Sequence, residues 1–308
     1  VWHQTVEVLK AHFAGTGVGR LSGLFGKTRQ AYYERNWYYI RRSEQAEIIL
    51  EMVRLIRREM PRIGVKKLYR LIKTPMRTHG IKTGRDALYQ LLQEHDLLVK
   101  ARRKRIITTY ADQEQERYPN LIRSLEVTKA GQLWVSDITY ISVGNNFNYL
   151  SLVTDAYSRK IIGHCLYPTL ERHGPLAALD MALATHPGNE PGLIHHSDRG
   201  RQYGCGQYTL RLKNNNIRIS MTEKKDPYEN AIAERVNGIL KTEFMLNRIF
   251  CSTQQAQEII AEVVRIYNES RPHMSCNYLT PAQAHLQTGV LERKWKNYYN
   301  KQSDNEAK

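Results

Sequence analysis

From Trp134 the spacing of apolar residues changes from helical to strictly alternating, and this change limits the folds open to the chain. In WVSDITYISV, Trp134, Ser136, Ile138, Tyr140 and Ser142 point one way and Val135, Asp137, Thr139, Ile141 and Val143 the other. The segment predicts a strand. Gly144–Asn146 supplies a turn, FNYLSLVTD a second strand, AYS a turn and RKIIGHCLY a third strand, which together read as an antiparallel meander. HGPLAALDMALATH predicts a helix over Gly174–Thr185, Pro191–Ser197 a fourth strand, Gly206–Asn214 a helix and IRISM a short fifth strand. A helix over Ala231–Phe244 follows, then another from about Thr253 that Pro272 terminates. The fold class is therefore α/β, a five-stranded mixed sheet flanked by helices.

Three acids stand out on this frame. Asp137 lies within an apolar strand, where an acid is costly unless paired or hydrogen-bonded. Asp198 ends the fourth strand, and catalytic groups in open α/β sheets favour strand ends. Glu234 lies on the helix that Asn230 is placed to cap, with Lys241 seven residues on and so on the same side. Asn237 and Gly238 lie between them, and the glycine suggests a close approach there. Taken singly, each acid has a plain structural reading: a turn residue at 198, a strand-edge ion pair at 137, a solvated helix acid at 234. Taken together, three carboxylates converging in one cleft repel unless cations neutralise them. Oxygen-only ligands suit Mg²⁺, with Mn²⁺ able to substitute, and two such ions serve phosphoryl transfer. Lys241 is then placed for a phosphate. Asp155, in VTDAYSR, reads instead as a turn residue, and His195 and His196 face opposite sides of their strand.

The first third of the chain is helical and basic. Of the net charge of +16, residues 1–110 carry +14, from 23 Lys and Arg against 9 Asp and Glu. Such a field attracts polyanions and makes binding depend on salt. VGRLSGLFGKTRQAYY has the layout of a helix-turn-helix: a short helix over Gly19–Leu24, a turn at Phe25–Gly26, a cap at Thr28 and a helix Arg29–Tyr38 that presents Arg29, Gln30, Tyr32 and Tyr33. GLFGKT is not a phosphate loop, because Leu21 stands where the first glycine is required. Ser43 reads as the N-cap of a helix with Ile48, Ile49, Met52, Leu55 and Ile56 inward, stopped by Pro61. Helices follow at Ile63–Ile72, decorated by Lys66, Lys67 and Arg70, and at Thr83–Leu92, where Ala87, Leu88, Leu91 and Leu92 are the expected buried face. Arg102, Arg103, Lys104 and Arg105 then form a basic arm suited to DNA phosphates or the minor groove.

Several classes are disfavoured. No apolar run approaches 18 residues, so no membrane span is expected, and no signal peptide is visible. Cys165, Cys205, Cys251 and Cys276 form no CxxC pair and suggest neither a zinc site nor disulfides, which points to a reducing, cytoplasmic setting. The first residue is Val1, so the gene product is open to beginning upstream.

Four motifs in order, WVSDITY at 134–140, HSDRGRQY at 196–203, NAIAERVNGILKTE at 230–243 and YNESRPH at 267–273 with LTP at 279–281, resemble the transposases of the IS3 group of bacterial insertion sequences, within the integrase-like superfamily. Thirty-five residues separate Asp198 from Glu234, which matches that superfamily, as does the basic residue seven after the acid. The resemblance covers roughly 131–285, with a looser likeness at 44–105. It implies a ribonuclease-H-like catalytic core preceded by an all-helical, helix-turn-helix-like region, and a division into 1–42, a DNA-binding unit at 43–105, a linker at 106–130, the core at 131–285 and a basic, aromatic tail at 286–308. It implies that Asp137, Asp198 and Glu234 bind two metal ions and catalyse phosphodiester cleavage and 3′-OH strand transfer. It implies that Lys241 contacts DNA, that Arg271 and His273 do so as well, and that Asn230, Tyr267, Asn268 and Pro272 support the core. Many relatives have Asp where this chain has Glu229, a departure that touches only a capping detail. The partners implied are double-stranded DNA, as terminal repeats and target, and further copies of the chain, with Thr253–Glu269 or the tail with Trp295, Tyr298 and Tyr299 as surfaces. The setting implied is the bacterial nucleoid, and the resemblance extends to second-frame products that are also made as a fusion with an upstream frame. The alternatives are a nuclease of the same fold that cuts without joining, and a DNA-binding regulator or decayed transposase without catalysis.

Overall fold

The computed structural model of the chain describes residues 1–100, 118–186, 192–223 and 230–295. It resolves into two compact units, Val1–Leu55 with Ile72–Leu98, and Ile56–Leu71 with the chain from Val99 onward. Four helices open the chain: α1 (Trp2–His12), α2 (Val18–Gly23), α3 (Arg29–Glu59) and α4 (Val65–Thr78), and α5 (Arg85–Glu94) follows. In the first unit Val6, Leu21 and Tyr32 form a small core with Trp2, Leu9 and Val18 packed against it, so Tyr32 is a core residue and not, as expected, one presented for contact. Thr28 caps α3, its Oγ1 accepting from the Ala31 N–H at 3.0 Å.

Two sequence expectations change here. α1 was not anticipated. Ser43 caps nothing, because α3 runs unbroken from Arg29 to Glu59: no Gly or Pro interrupts RNWYYIRRSE, and a serine alone does not stop a helix. The inward face of α3 is also rotated from the expected one, with Ile49, Leu50 and Val53 buried while Ile48 and Leu55 are exposed. On α5, Leu88 and Leu92 are buried and Ala87 is exposed.

The second unit is built on a sheet. β1 (Leu133–Val143), β2 (Asn146–Asp155) and β3 (Ile161–Tyr167) form the meander. β1 and β2 are joined through Gly144, whose φ of 54° suits the two-residue turn. α6 (His173–Ala184) leads to β4 (Ile194–Ser197), then α7 (Arg201–Gly204), α8 (Gly206–Asn214) and β5 (Arg218–Met221). The strand order is β3-β2-β1-β4-β5, antiparallel across β1, β2 and β3 and parallel from β1 through β4 to β5. α9 (Ala231–Thr242), β6 (Ile249–Phe250), α10 (Thr253–Glu269) and α11 (Pro281–His285) complete it. β6 adds two residues parallel to the far end of β1, a sixth strand too short for its pattern to show in sequence.

Alternation along β1 divides the core in two. Trp134 joins Ala178, Leu179 and Ala182 of α6 and Tyr208 and Leu212 of α8 in one cluster. Leu133 and Val135 join Ile194 and Ala233 of α9 in another. α6 lies so close to β3 that a Cβ on Gly163 would stand 2.0 Å from the Ala178 carbonyl oxygen, so only glycine fits. Asp155 ends β2 fully buried, accepting from the Ser158 N–H at 2.8 Å and from the Gly131 N–H at 2.9 Å. Burial works against its charge, yet His285 and these donors hold its pKa below the usual carboxylate value. Its role is structural. Among the described residues no helix is long and apolar enough to cross a membrane.

Candidate active site

β1 is central in the sheet, and its pairing with β4 covers only Leu133–Val135. Past that point its edge opens and Asp137 emerges, half-buried. Its carboxylate is fixed from two sides: Oδ1 accepts from the Ile138 N–H at 2.9 Å, and Oδ2 accepts from Asn237 Nδ2 of α9 at 2.8 Å. Despite these donors its pKa is pushed up to about 7, by burial first and then by the charges of Asp198 and Glu234.

Asp198 follows β4 directly, with an exposed outer edge. Its Oδ1 accepts from the Gly200 N–H at 3.0 Å, so it also makes the local turn bond expected of a lone acid there. The protein packed around it raises its pKa, and the Gly200 bond only partly offsets this. Glu234 lies in the first turn of α9, where the helix dipole favours an acid, and its side chain is exposed. The structure thus brings three carboxylates within electrostatic reach at the end of β4, the middle of β1 and the start of α9. Among the described residues, no three His, Cys, Asp or Glu side chains are grouped closely enough to hold one metal ion as they stand. Like charges without a cation between them are expected to stand apart.

Two amides set this geometry. Asn237, in β1's reach, orients Asp137. Asn230 sits at the N-cap position of α9, but its side chain makes no cap bond; Nδ2 donates instead to the Ser136 carbonyl at 3.0 Å and ties the helix start to β1 beside Asp137. Sequence reading placed Asn237 on the right side of the helix but gave it no role. A close approach does not account for Gly238, since a Cβ added there meets nothing within 4 Å.

Lys241, in the last turn of α9, holds its ammonium 4.6 Å from the centre of the Tyr140 ring. Burial lowers its pKa and the charge of Asp137 partly restores it. Beneath the acids, His195 Nε2 is 2.8 Å from Ser136 Oγ and 3.0 Å from Tyr208 OH, and burial pushes its pKa down to about 3, so the ring is neutral. His196 Nδ1 is 2.9 Å from Ser220 Oγ. Both histidines are buried within the sheet and serve packing.

Three residues given to DNA turn inward. Arg271 is 2% exposed and grips Glu243 with two bonds, Nε to Oε2 and Nη2 to Oε1, each 2.9 Å. Lys67 meets the same carboxylate at 2.6 Å. Burial favours the neutral acid, but Arg271 and Lys67 hold Glu243 below its ordinary pKa. Burial and the charge of Arg271 bring Lys67 down to about 8, against the pull of Glu243. His273 is also buried, and burial beside Arg271 keeps it neutral. Arg271 and Lys67 are directed onto the part-buried Glu243 and His273 is buried, so this structure presents none of the three to DNA, against the sequence expectation. No spacing rule links Lys67, Glu243 and Arg271, which explains why the cluster went unseen. Tyr267 and Asn268 do brace the core: Tyr267 OH donates to the Arg159 carbonyl at 3.0 Å, and Asn268 brackets the backbone of Ile161 with two 2.9 Å bonds. Pro272 is buried beside them. Arg29, Lys66 and Arg70 are exposed. Arg102, Arg103, Lys104, Arg105, Glu229, Tyr298 and Tyr299 lie outside the described residues.

Comparison with known proteins agrees with this architecture. Residues 127–227 and 215–281 each match a family model described as an integrase core domain. The insertion element IS600 31 kDa protein of Shigella sonnei is 31% identical over 263 residues, covering 84% of this chain and 95% of that protein. A putative transposase of the element IS986/IS6110 of Mycobacterium tuberculosis is 31% identical over 66% of this chain and 76% of its own length. Transposase InsF of the insertion sequence IS3A of Escherichia coli is 32% identical over 62% of this chain and 67% of its own. With a mixed sheet of order β3-β2-β1-β4-β5, an integrase core and relatives matched over most of their length, the chain belongs to the IS3 family of insertion-sequence transposases, polynucleotidyl transferases that act on DNA.

Proposed function

We propose that Asp137, Asp198 and Glu234 are the catalytic carboxylates of this transposase and that they hold divalent metal, two Mg²⁺ ions with Mn²⁺ able to replace them. The observation that carries the reading is the load on Asp137, a half-buried carboxyl pushed up to about 7 by burial and by two other acids from distant parts of the chain. Such a site is costly when empty of positive charge and favourable when it holds some. The donors are oxygen only, as a hard divalent ion prefers. When bound, such ions would neutralise the acids and stabilise charge on the attacking and leaving oxygens.

Each residue has its own task. Asn237 and the Ile138 N–H keep the Asp137 carboxylate in one orientation. Asn230 anchors α9 so that Glu234 and Lys241 face the end of β1. Lys241 meets a phosphate of the cut strand. The reaction has two steps: water attacks a phosphodiester at the element end and a 3′-OH departs; that 3′-OH attacks a second phosphodiester and displaces a new 3′-OH. Double-stranded DNA, at the terminal repeats and at the target, is the substrate. Arg29, Lys66 and Arg70, exposed on the basic helical third, are its phosphate contacts, with the arm at Arg102–Arg105 beyond them. Two ends must meet in one reaction, so the working form is a dimer or larger assembly on DNA, in the bacterial cytoplasm. Of the expected divisions, the linker at 106–130, the core at 131–285 and the tail at 286–308 are kept, while the boundary between 1–42 and 43–105 is dropped because it falls inside α3. Incubation of paired end duplexes with target DNA and Mg²⁺ tests the reading. Joined products are expected; cut but unjoined ends would support the nuclease alternative, and intact DNA a regulator.

A further inference from the structure

The strand that carries Asp137 continues into a surface that catalysis by the three acids does not use. Tyr140 lies three residues on, about 10 Å along the strand and on the opposite face of β1 from Asp137, and Lys241 of α9 links the two, its ammonium standing over the Tyr140 ring and within reach of the Asp137 charge. The residue is 42% exposed, and its ring meets that of Phe147, a residue 57% exposed, at a centroid distance of 5.8 Å and a tilt of 60°. Ser142 pairs with both Phe147 on β2 and Ile249 on β6, and Tyr140 is two residues before Ser142, so all three apolar side chains share one face of the sheet. Ile249 is exposed too. Lys241 reaches this patch from α9, its ammonium over the Tyr140 ring.

We propose that Tyr140 and Phe147, with Lys241, form a seat for one unstacked nucleotide of the cut strand: the ammonium takes its phosphate and the rings take its base. The inference rests on the assignment of Asp137 to the reacting phosphate. Exposed aromatic rings beside a cation are the combination that binds single-stranded nucleic acid, because every base has a face to stack and every nucleotide a charge to neutralise. A second copy of the chain is the weaker occupant. Two rings and an isoleucine fall well short of the roughly 800 Å² that each partner buries in a stable interface, and a lysine beside an acidic cleft is better matched to a phosphodiester than to an apolar face. The seat fixes which bond of the strand lies at Asp137, so it contributes to the choice of cleavage position.

The test is a double-mutant cycle between side chain and base. End duplexes are prepared with their last few nucleotides unpaired, and each base in turn is replaced by an abasic sugar. Affinity is measured in EDTA, so that no bond is cut. At one position the abasic sugar is expected to weaken wild-type binding about ten-fold while costing Y140A nothing. Y140F and Y140W should behave as wild type, since stacking needs the ring and not the hydroxyl. K241A should weaken binding at every position and reduce the salt dependence by about one phosphate contact. Equal losses for wild type and Y140A at all positions would overturn the seat, as would a change in sedimentation of the free Y140A protein, which would give the patch to another copy. A parallel reaction with Mg²⁺ separates the two assignments: cutting without side-chain–base coupling rejects the seat alone, and coupling without cutting rejects the catalytic acids alone.

Discussion

Asn237 Nδ2 donates to Asp137 Oδ2 at 2.8 Å, linking the middle of α9 to the open edge of β1. Through this bond the helix that carries Glu234 and Lys241 also sets the direction of the first acid.

N237A should leave the fold intact and reduce the rate about 10–100-fold, the usual cost of losing a group that orients a ligand. The bond favours the ionised carboxylate, so its loss raises the Asp137 pKa further. The acidic limb of the pH–rate profile should therefore move to higher pH. An unchanged limb would show that Asn237 does not act through Asp137.

The same acid gives the metal-free protein a pH-dependent weakness. Its folded pKa of about 7 lies above its unfolded value, so the penalty is absent at pH below the unfolded value and grows until pH passes about 7. Wild-type stability in EDTA should fall across that window by an amount on the order of a few kcal/mol, and D137N should lose this dependence. Divalent metal should restore more stability at pH 8 than at pH 6. Thermal unfolding with and without EDTA reads each arm.

Arg271 and the exposed cations should separate cleanly. R271A leaves Glu243 buried beside Lys67 alone and should cost about 3–5 kcal/mol of stability, read by denaturant unfolding. K66A and R70A should leave stability within about 0.5 kcal/mol and each reduce the salt slope of DNA binding by about one. Weaker DNA binding by R271A at unchanged stability would return that residue to the interface.

The sheet was legible because its information is local. Alternation in WVSDITYISV, the turn at Gly144 and the strand end at Asp198 each follow from a few neighbouring residues, and the five main strands are found where the pattern put them. The acids stood out because an Asp in an apolar strand conflicts with its setting. What sequence left out depends on distant partners. Arg271 looked free because its acid, Glu243, lies 28 positions away, and Lys67, on another element, lies 176 positions from that same acid. Asn230 looked like a cap because its true acceptor, the Ser136 carbonyl, is across the sheet. Ser43 looked like a helix start because local propensity cannot tell a cap from an exposed serine within a long helix.

Single-turnover cutting of an end duplex by D198N and E234Q, with DNA affinity measured in the same samples, tests the central claim most directly. Each variant should lose at least about 10³-fold in rate, several kcal/mol of transition-state stabilisation, while binding DNA as wild type does. Metal-dependent cutting by either variant within about ten-fold of wild type would contradict the assignment of these carboxylates to the reaction.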